Sequence, residues 1–117
     1  SDTTRIDWQG LVELDGKQWP IQNDHAVLVP AGKHHLRPGI AQPAVTLADF
    51  NGQVRSAAVT AHGLDLAYSS ASRAIVVFGS PVSSIELDGL TYWTAIKGDP
   101  ETSILLPAGQ HLLTFTR

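Results

Sequence analysis

Polar and apolar residues alternate along most of this chain, and the alternating runs are short. Turn-forming Gly, Pro, Asn or Asp residues interrupt them at close intervals, which is typical of strands rather than helices. The best helical competitor, 69–74, is short and leads into IVVF, a sequence with the character of a buried strand. The pattern predicts strands at 11–14, 25–29, 34–37, 45–49, 54–60, 64–68, 73–78, 84–87, 91–96, 102–106 and 111–116.

The turn residues support the same interpretation. Three dipeptides that tolerate left-handed backbone conformations lie between predicted strands, and each predicts a hairpin. These dipeptides are Asp15-Gly16, Asn51-Gly52 and Asp88-Gly89. The tripeptide PAG, at 30–32 and again at 107–109, is expected to break one strand and begin the next.

Two phrases occur twice in the chain. VELDG at 12–16 matches IELDG at 85–89, and LVPAGKHHL at 28–36 matches LLPAGQHLL at 105–113. We therefore predict two pseudo-repeat units, 11–37 and 84–116, each running strand, DG turn, strand, strand, PAG turn, strand. Such units can face each other as halves of one sandwich, while 40–84 supplies the remaining strands. A repeat of this kind specifies packing and not chemistry.

The predicted fold is an all-β antiparallel β-sandwich, either immunoglobulin-like or jelly-roll-like. A chain of 117 residues with 43% hydrophobic content is large enough for one core and too small for two. We therefore expect a single domain spanning 1–117.

Charge and cysteine content exclude several functions. The formal net charge is −3 and the Lys and Arg residues are not clustered, so nucleic acid and anionic membranes are not expected as partners. The absence of cysteine removes disulfides, Cys-ligated zinc and thiol catalysis.

Two stretches carry a resemblance to known modules. The DG turn followed by LPAGQHLLTF is similar to PEGA-type repeats and resembles the small sandwich modules appended to secreted bacterial enzymes. GLDLAYSSASRAIVVFGSPVSSIELDG, at 63–89, resembles the C-terminal sandwich segments of bacterial glycoside hydrolases and related polysaccharide-acting proteins. This resemblance implies an accessory domain of a larger protein, packed beside neighbouring domains of the same chain and located outside the cell or in the periplasm.

Aromatic side chains are the candidate ligand-binding groups, because sugar rings stack on Trp and Tyr. The candidates for carbohydrate binding are Trp8, Trp19, Tyr92 and Trp93. Tyr92 and Trp93 are adjacent on a predicted strand and must point to opposite faces. Trp19 and Tyr92 occupy equivalent repeat positions, so an alternative is that both pack over their own hairpins. Trp8 either binds a ligand by stacking or covers an open end of the sandwich.

The histidines and carboxylates indicate no catalytic or transition-metal site. His34 and His111 are equivalent in the repeat, which favours a shared structural role, and the neighbouring His34 and His35 diverge on a strand. The carboxylates are scattered and nominate no glycosidase pair. Asp99 and Glu101 lie in a loop where a structural calcium ion is an alternative to a solvated turn.

The sequence thus favours a non-catalytic module that binds carbohydrate and has no enzymatic activity of its own. Weak stacking with a few polar contacts would hold a parent enzyme near its substrate. The alternative is a structural or protein-interaction sandwich domain without ligand binding, in which the same aromatic residues are interior.

Overall fold

The computed structural model describes residues 3–92 and 103–117. This part of the chain forms strands without helices, and every strand pair is antiparallel. No helix capable of crossing a membrane is found within these two ranges. The strands are β1 (Thr4–Asp7), β2 (Val12–Leu14), β3 (Lys17–Gln18), β4 (Ala26–Val29), β5 (Leu36–Pro38), β6 (Leu47–Phe50), β7 (Gln53–Val59), β8 (Gly63–Ser70), β9 (Ala74–Phe78), β10 (Ser84–Leu87), β11 (Leu90–Thr91), β12 (Ser103–Leu106) and β13 (Gly109–Thr116).

The all-β prediction is confirmed, and most predicted strands correspond to observed ones. Two observed strands were not predicted. β1 is mostly polar and exposed, and β3 is only two residues long, so neither shows an alternation of apolar and polar residues that could be recognised. The strand predicted at 91–96 coincides with β11 only at Thr91, and its later part falls outside the described residues.

The two DG dipeptides close tight hairpins as predicted. Asp15 and Asp88 have φ of 53° and 52°, and the glycines that follow have φ of 82° and 85°. Positive φ at both central residues is the geometry of a two-residue turn that matches strand twist. These turns join β2 to β3 and β10 to β11.

The hairpin predicted at Asn51-Gly52 is wrong. The flanking strands β6 and β7 pair with β9 and β8 and belong to different sheets. Asn51 instead binds across to β9, where its Oδ1 accepts a hydrogen bond from the Ile75 amide at 2.7 Å. Gly52 is required for close approach, because a Cβ there would lie 2.6 Å from the ring of Phe50. The dipeptide is therefore a crossing between sheets.

Four sheets make up the described structure. The largest has the order β11-β10-β13-β8-β7, and the others are β12-β9-β6, β3-β2-β5 and β1-β4. Single bridges extend the pairing, since Ile21 pairs with Leu47 of β6 and Gln22 with Val27 of β4. The segment 20–22 thereby links the β1-β4 pair to the β12-β9-β6 sheet.

Both PAG turns carry the chain from one sheet to another. The first lies between β4, which pairs with β1, and β5, which pairs with β2. The second lies between β12, which pairs with β9, and β13, which pairs with β8 and β10. Gly32 and Gly109 have φ of 112° and 102°, a region that side chains disfavour, so glycine suits these two positions.

The core is built from alternate residues of the long strands. On β8 the buried positions Leu64, Leu66 and Tyr68 face inward, and on β13 Leu113 and Phe115 do the same. Aromatic rings meet edge-on within this layer: the centroids of Phe50 and Tyr68 are 5.4 Å apart and those of Phe78 and Phe115 are 5.8 Å apart. Burial raises the pKa of Tyr68 to about 12, and its neutral hydroxyl donates to the Pro107 carbonyl oxygen at 2.8 Å.

Candidate functional site

Two of the aromatic residues predicted to bind carbohydrate are used inside the fold. Trp19 is buried, with 5% of its surface exposed, and its indole N–H donates to the Leu28 carbonyl oxygen at 2.7 Å. Tyr92 is half-buried, and its hydroxyl donates to the Leu105 carbonyl oxygen at 2.6 Å. Both rings pack against the core, and the polar atom of each is bound to the strand preceding a PAG turn. Trp19 therefore offers no stacking surface, whereas Tyr92 stays partly exposed.

Trp93 and the proposed calcium ligands Asp99 and Glu101 fall outside the described residues. Among the residues that are described, no group of three or more His, Cys, Asp or Glu side chains converges as a metal site.

Trp8 is half-buried, with part of its surface packed against the core and part facing a surface cleft. Its backbone N–H donates to the His25 carbonyl oxygen at 3.0 Å, and its indole N–H donates to the Leu11 carbonyl oxygen at 3.2 Å. The first bond fixes the backbone, and the indole bond together with packing against the core orients the half-buried ring. A shallow cleft of about 630 Å³ opens beside it, lined by Asp7, Trp8, Gln9 and His25, and is referred to below as the Trp8 cleft.

A second cavity of about 480 Å³, here named the amide pocket, has lining residues next in sequence to those of the Trp8 cleft. The Trp8 cleft uses residues 7–9 and 25, and the amide pocket uses 10–11 and 22–24. Its lining is rich in amides and carries one carboxylate. The residues are Gly10, Leu11, Gln22, Asn23, Asp24, Gln42, Thr46, Ala48 and Gly79.

Gln22 lines the amide pocket and has an unpaired polar atom. Its Oε1 is the one buried side-chain nitrogen or oxygen among the described residues for which no hydrogen-bond partner is found. The neighbouring Asn23 differs, because its Oδ1 accepts from the amides of His25 and Ala26 and its Nδ2 donates to the Ala48 carbonyl oxygen. Asn23 therefore shapes the wall, while Gln22 Oε1 is left without a partner.

The first repeat unit, 11–37, contains an Asp–His pair. His34 Nδ1 lies 2.7 Å from Asp15 Oδ2, and His34 Nε2 lies 3.2 Å from the Ala31 carbonyl oxygen. The other carboxylate oxygen, Asp15 Oδ1, accepts from the His35 amide at 2.8 Å. The pair thus ties the DG turn to the segment that follows the PAG turn.

The second repeat unit, 84–116, makes the same contacts. His111 Nδ1 lies 2.7 Å from Asp88 Oδ2, and His111 Nε2 lies 2.8 Å from the Ala108 carbonyl oxygen. Asp88 Oδ1 accepts from the Leu112 amide at 2.9 Å.

Both ring nitrogens of each histidine face acceptors, so the protonated imidazole satisfies both contacts. The hydrogen bond to the carboxylate raises the pKa of His34 and of His111 above the usual value of 6.5. The same hydrogen bonds lower the pKa of Asp15 and Asp88 below 3.8. With both nitrogens engaged, neither imidazole is placed to act as a base or a metal ligand.

Sequence reasoning missed the amide pocket. Its wall combines segments near 10, 22–24, 42–48 and 79. Long-range contacts bring them together, such as the pairing of Ile21 with Leu47 and the bond from the Gly79 amide to the Thr46 carbonyl oxygen. A single glutamine with a buried, unpartnered oxygen leaves no signal in the sequence.

Comparison of the chain with protein-family models, with curated proteins and with solved structures gave no match. The functional assignment therefore rests on the geometry of the Trp8 cleft and the amide pocket.

Proposed function

We propose that this chain is a non-catalytic carbohydrate-binding module whose sugar site is the Trp8 cleft together with the amide pocket. The proposal is carried by a half-buried Trp ring in a surface cleft whose lining segments run directly into those of the amide pocket. Gln22 lines that pocket, and its buried Oε1 has no hydrogen-bond partner. Stacking on Trp8 supplies the apolar contact, and Gln22 accepts a hydroxyl hydrogen.

The polar lining suits a neutral, polyhydroxylated ligand. Gln22 and Gln42 provide amide donors and acceptors, and Asp24 provides a carboxylate acceptor. No Lys or Arg lines either cavity, so an anionic ligand has no counter-charge there. A site built to bind hydroxyls discriminates against ligands that lack them, because its buried polar atoms would then stay unpaired.

We place the module in the role that its resemblance implies, as an accessory domain of a secreted, polysaccharide-acting protein, outside the cell or in the periplasm. Its contribution there is to raise the effective concentration of the parent protein near its glycan. Trp93 stays a candidate member of the sugar site.

We further propose that the two repeat phrases are matching halves of one β-sandwich. The proposal is supported by the matched Asp–His pairs and by the matched bonds from Trp19 and Tyr92 to the Leu28 and Leu105 carbonyl oxygens. The equivalent turn geometry at the two DG dipeptides agrees with it.

The alternative is a structural or interaction domain without a sugar ligand. It is favoured by Trp19 and Tyr92, whose rings pack inward and whose polar atoms are already bound. The two functions differ in their dependence on Trp8, which contacts a ligand in the first and only packs against the core in the second.

The test is calorimetric titration of the chain with a panel of soluble neutral glycans. Trp8→Ala and Gln22→Leu should each weaken binding about tenfold or more, the scale expected for loss of one stacking or hydrogen-bonding contact. Gln110→Leu is the matched control, because Gln110 is exposed on β13 and lines neither cavity. Absence of binding across the panel, or binding unaffected by either variant, would favour the interaction domain.

A further inference from the structure

A groove is lined by the first hairpin and by β7, the end strand of its sheet. It has a volume of about 730 Å³ and is here named the β7 groove. One wall is formed by residues 55–59 of β7, and the other by the first hairpin with Pro30 and His34. It shares no lining residue with the Trp8 cleft or the amide pocket.

The groove exposes the backbone of β7. Side chains of a strand alternate between its two faces, so five consecutive lining residues indicate that the strand edge itself forms the wall. β7 is the last strand of its sheet, and no other strand pairs with its outer edge within residues 3–92 and 103–117. Thr3 Oγ1 covers this edge at its start, where it accepts from the Val54 amide at 2.8 Å.

Arg55 comes next, at a register shift of β7, and its charge protects that point of the edge, whereas residues 56–59 have no such protection of their own. Natural edge strands are guarded by charges, prolines or inward-pointing polar groups. The stretch 56–59 is Ser-Ala-Ala-Val, with small side chains that leave the backbone accessible. Because a single antiparallel partner engages alternate residues, about two of these four direct their N–H and C=O groups outward.

Positive charges outnumber negative ones along the groove. Lys17 and Arg55 contribute two positive charges, with Arg55 Nε also donating to Ser69 Oγ, and Asp15 contributes one negative charge that is hydrogen-bonded to His34. The apolar part of the wall is formed by Leu14, Trp19 and Pro30.

We propose that the β7 groove binds an acidic, extended polypeptide segment of a partner protein, which adds to the edge of β7 as a new strand. Main-chain hydrogen bonds to 56–59 supply the pairing, as in other cases of strand addition. Alternate side chains of the added strand face the apolar wall, and its carboxylates meet Lys17 and Arg55. The proposal is independent of the sugar site.

The probe is a labelled heptapeptide of alternating valine and glutamate, titrated into the ¹⁵N-labelled chain and followed by amide chemical shifts. We expect saturable shifts confined to the amides of 56–59 and of Lys17 and Gln18. The double variant Lys17→Glu, Arg55→Glu should weaken binding about tenfold or more, since both rim charges are reversed. Arg73→Glu is the matched control, because Arg73 is exposed and lies outside the groove.

Two further peptides decide the chemistry. A lysine version should bind at least about tenfold more weakly, and a version with alternate N-methylated residues should not bind, because its pairing edge is blocked. The proposal is overturned by equal binding of the lysine peptide, by binding of the N-methylated peptide, or by the absence of shifts at 56–59. It is also overturned if these amides shift with protein concentration alone, which would identify a second copy of the chain as the occupant.

Discussion

The buried indole of Trp19 gives a prediction whose size follows from the structure. Trp19→Phe removes the N–H that donates to the Leu28 carbonyl oxygen at 2.7 Å, in a position where only 5% of the Trp surface is exposed. Water cannot readily replace the lost donor, because Leu28 is also buried. An acceptor left unpaired in the interior costs about 1–3 kcal/mol.

The smaller phenyl ring adds a packing term of roughly 1 kcal/mol, the value of one or two buried methylene groups. We therefore expect Trp19→Phe to lower the free energy of unfolding by about 2–4 kcal/mol. Tyr92→Phe is the matched comparison, since it removes the equivalent bond to the Leu105 carbonyl oxygen at a half-buried position. It should cost about 0.5–1.5 kcal/mol, because water reaches that site.

The assay is urea denaturation of wild type and both variants, followed by far-ultraviolet circular dichroism so that the lost Trp does not affect the signal. The m-value should be unchanged, which would show that the variants alter stability and not the extent of unfolding. If Trp19→Phe costs no more than Tyr92→Phe, the assignment of Trp19 as an interior, hydrogen-bonded residue is wrong.

Three other predictions follow from single contacts. Asp88→Asn should lose more stability at pH 5 than at pH 8 in urea denaturation. The pKa of His111 is raised in the folded state, so the Asp88–His111 pair stabilises the fold fully below pH about 6.5. This stabilisation is lost as the pH rises through the pKa of His111 in the folded protein. The pKa of Asp88 is lowered in the folded state, so its stabilising effect is complete above pH 3.8 and is lost as the pH falls through its folded pKa. An equal loss of stability at pH 5 and pH 8 would contradict the pairing of Asp88 with His111. Gly52→Ala should cost about 1–3 kcal/mol in thermal or urea unfolding, because its Cβ would lie 2.6 Å from the buried ring of Phe50, and an unchanged midpoint would contradict that packing. Gln22→Leu should leave stability unchanged or raise it, since no hydrogen bond is lost, and a large loss would show that Oε1 has a partner in the protein.

The parts of the fold that the sequence predicts are those set by neighbouring residues. Asp15-Gly16 and Asp88-Gly89 tolerate positive φ, so their hairpins follow from local chemistry. The same reasoning failed at Asn51-Gly52 because the outcome there depends on distant contacts. The bond to Ile75 of β9 and the Phe50 ring over the glycine are tertiary features with no local signature.

The candidate site was predictable to a smaller extent. Trp8 could be named from its type and its polar surroundings, but its orientation depends on bonds to His25 and Leu11. Trp19 was named as a ligand candidate with an interior alternative, and its burial in the core and its bond to Leu28 decide for the interior. Gln22 was not predicted at all, because an unpartnered atom is a property of the packed structure.

The most direct test of the sugar site is the indole N–H signal of Trp8 in a ¹⁵N–¹H spectrum during titration with a glycan that binds. The signal is assigned by its loss in Trp8→Phe. The account predicts that it shifts saturably, together with the side-chain amide of Gln22, while the signal of buried Trp19 stays in place. A glycan that binds without moving the Trp8 signal would contradict the account.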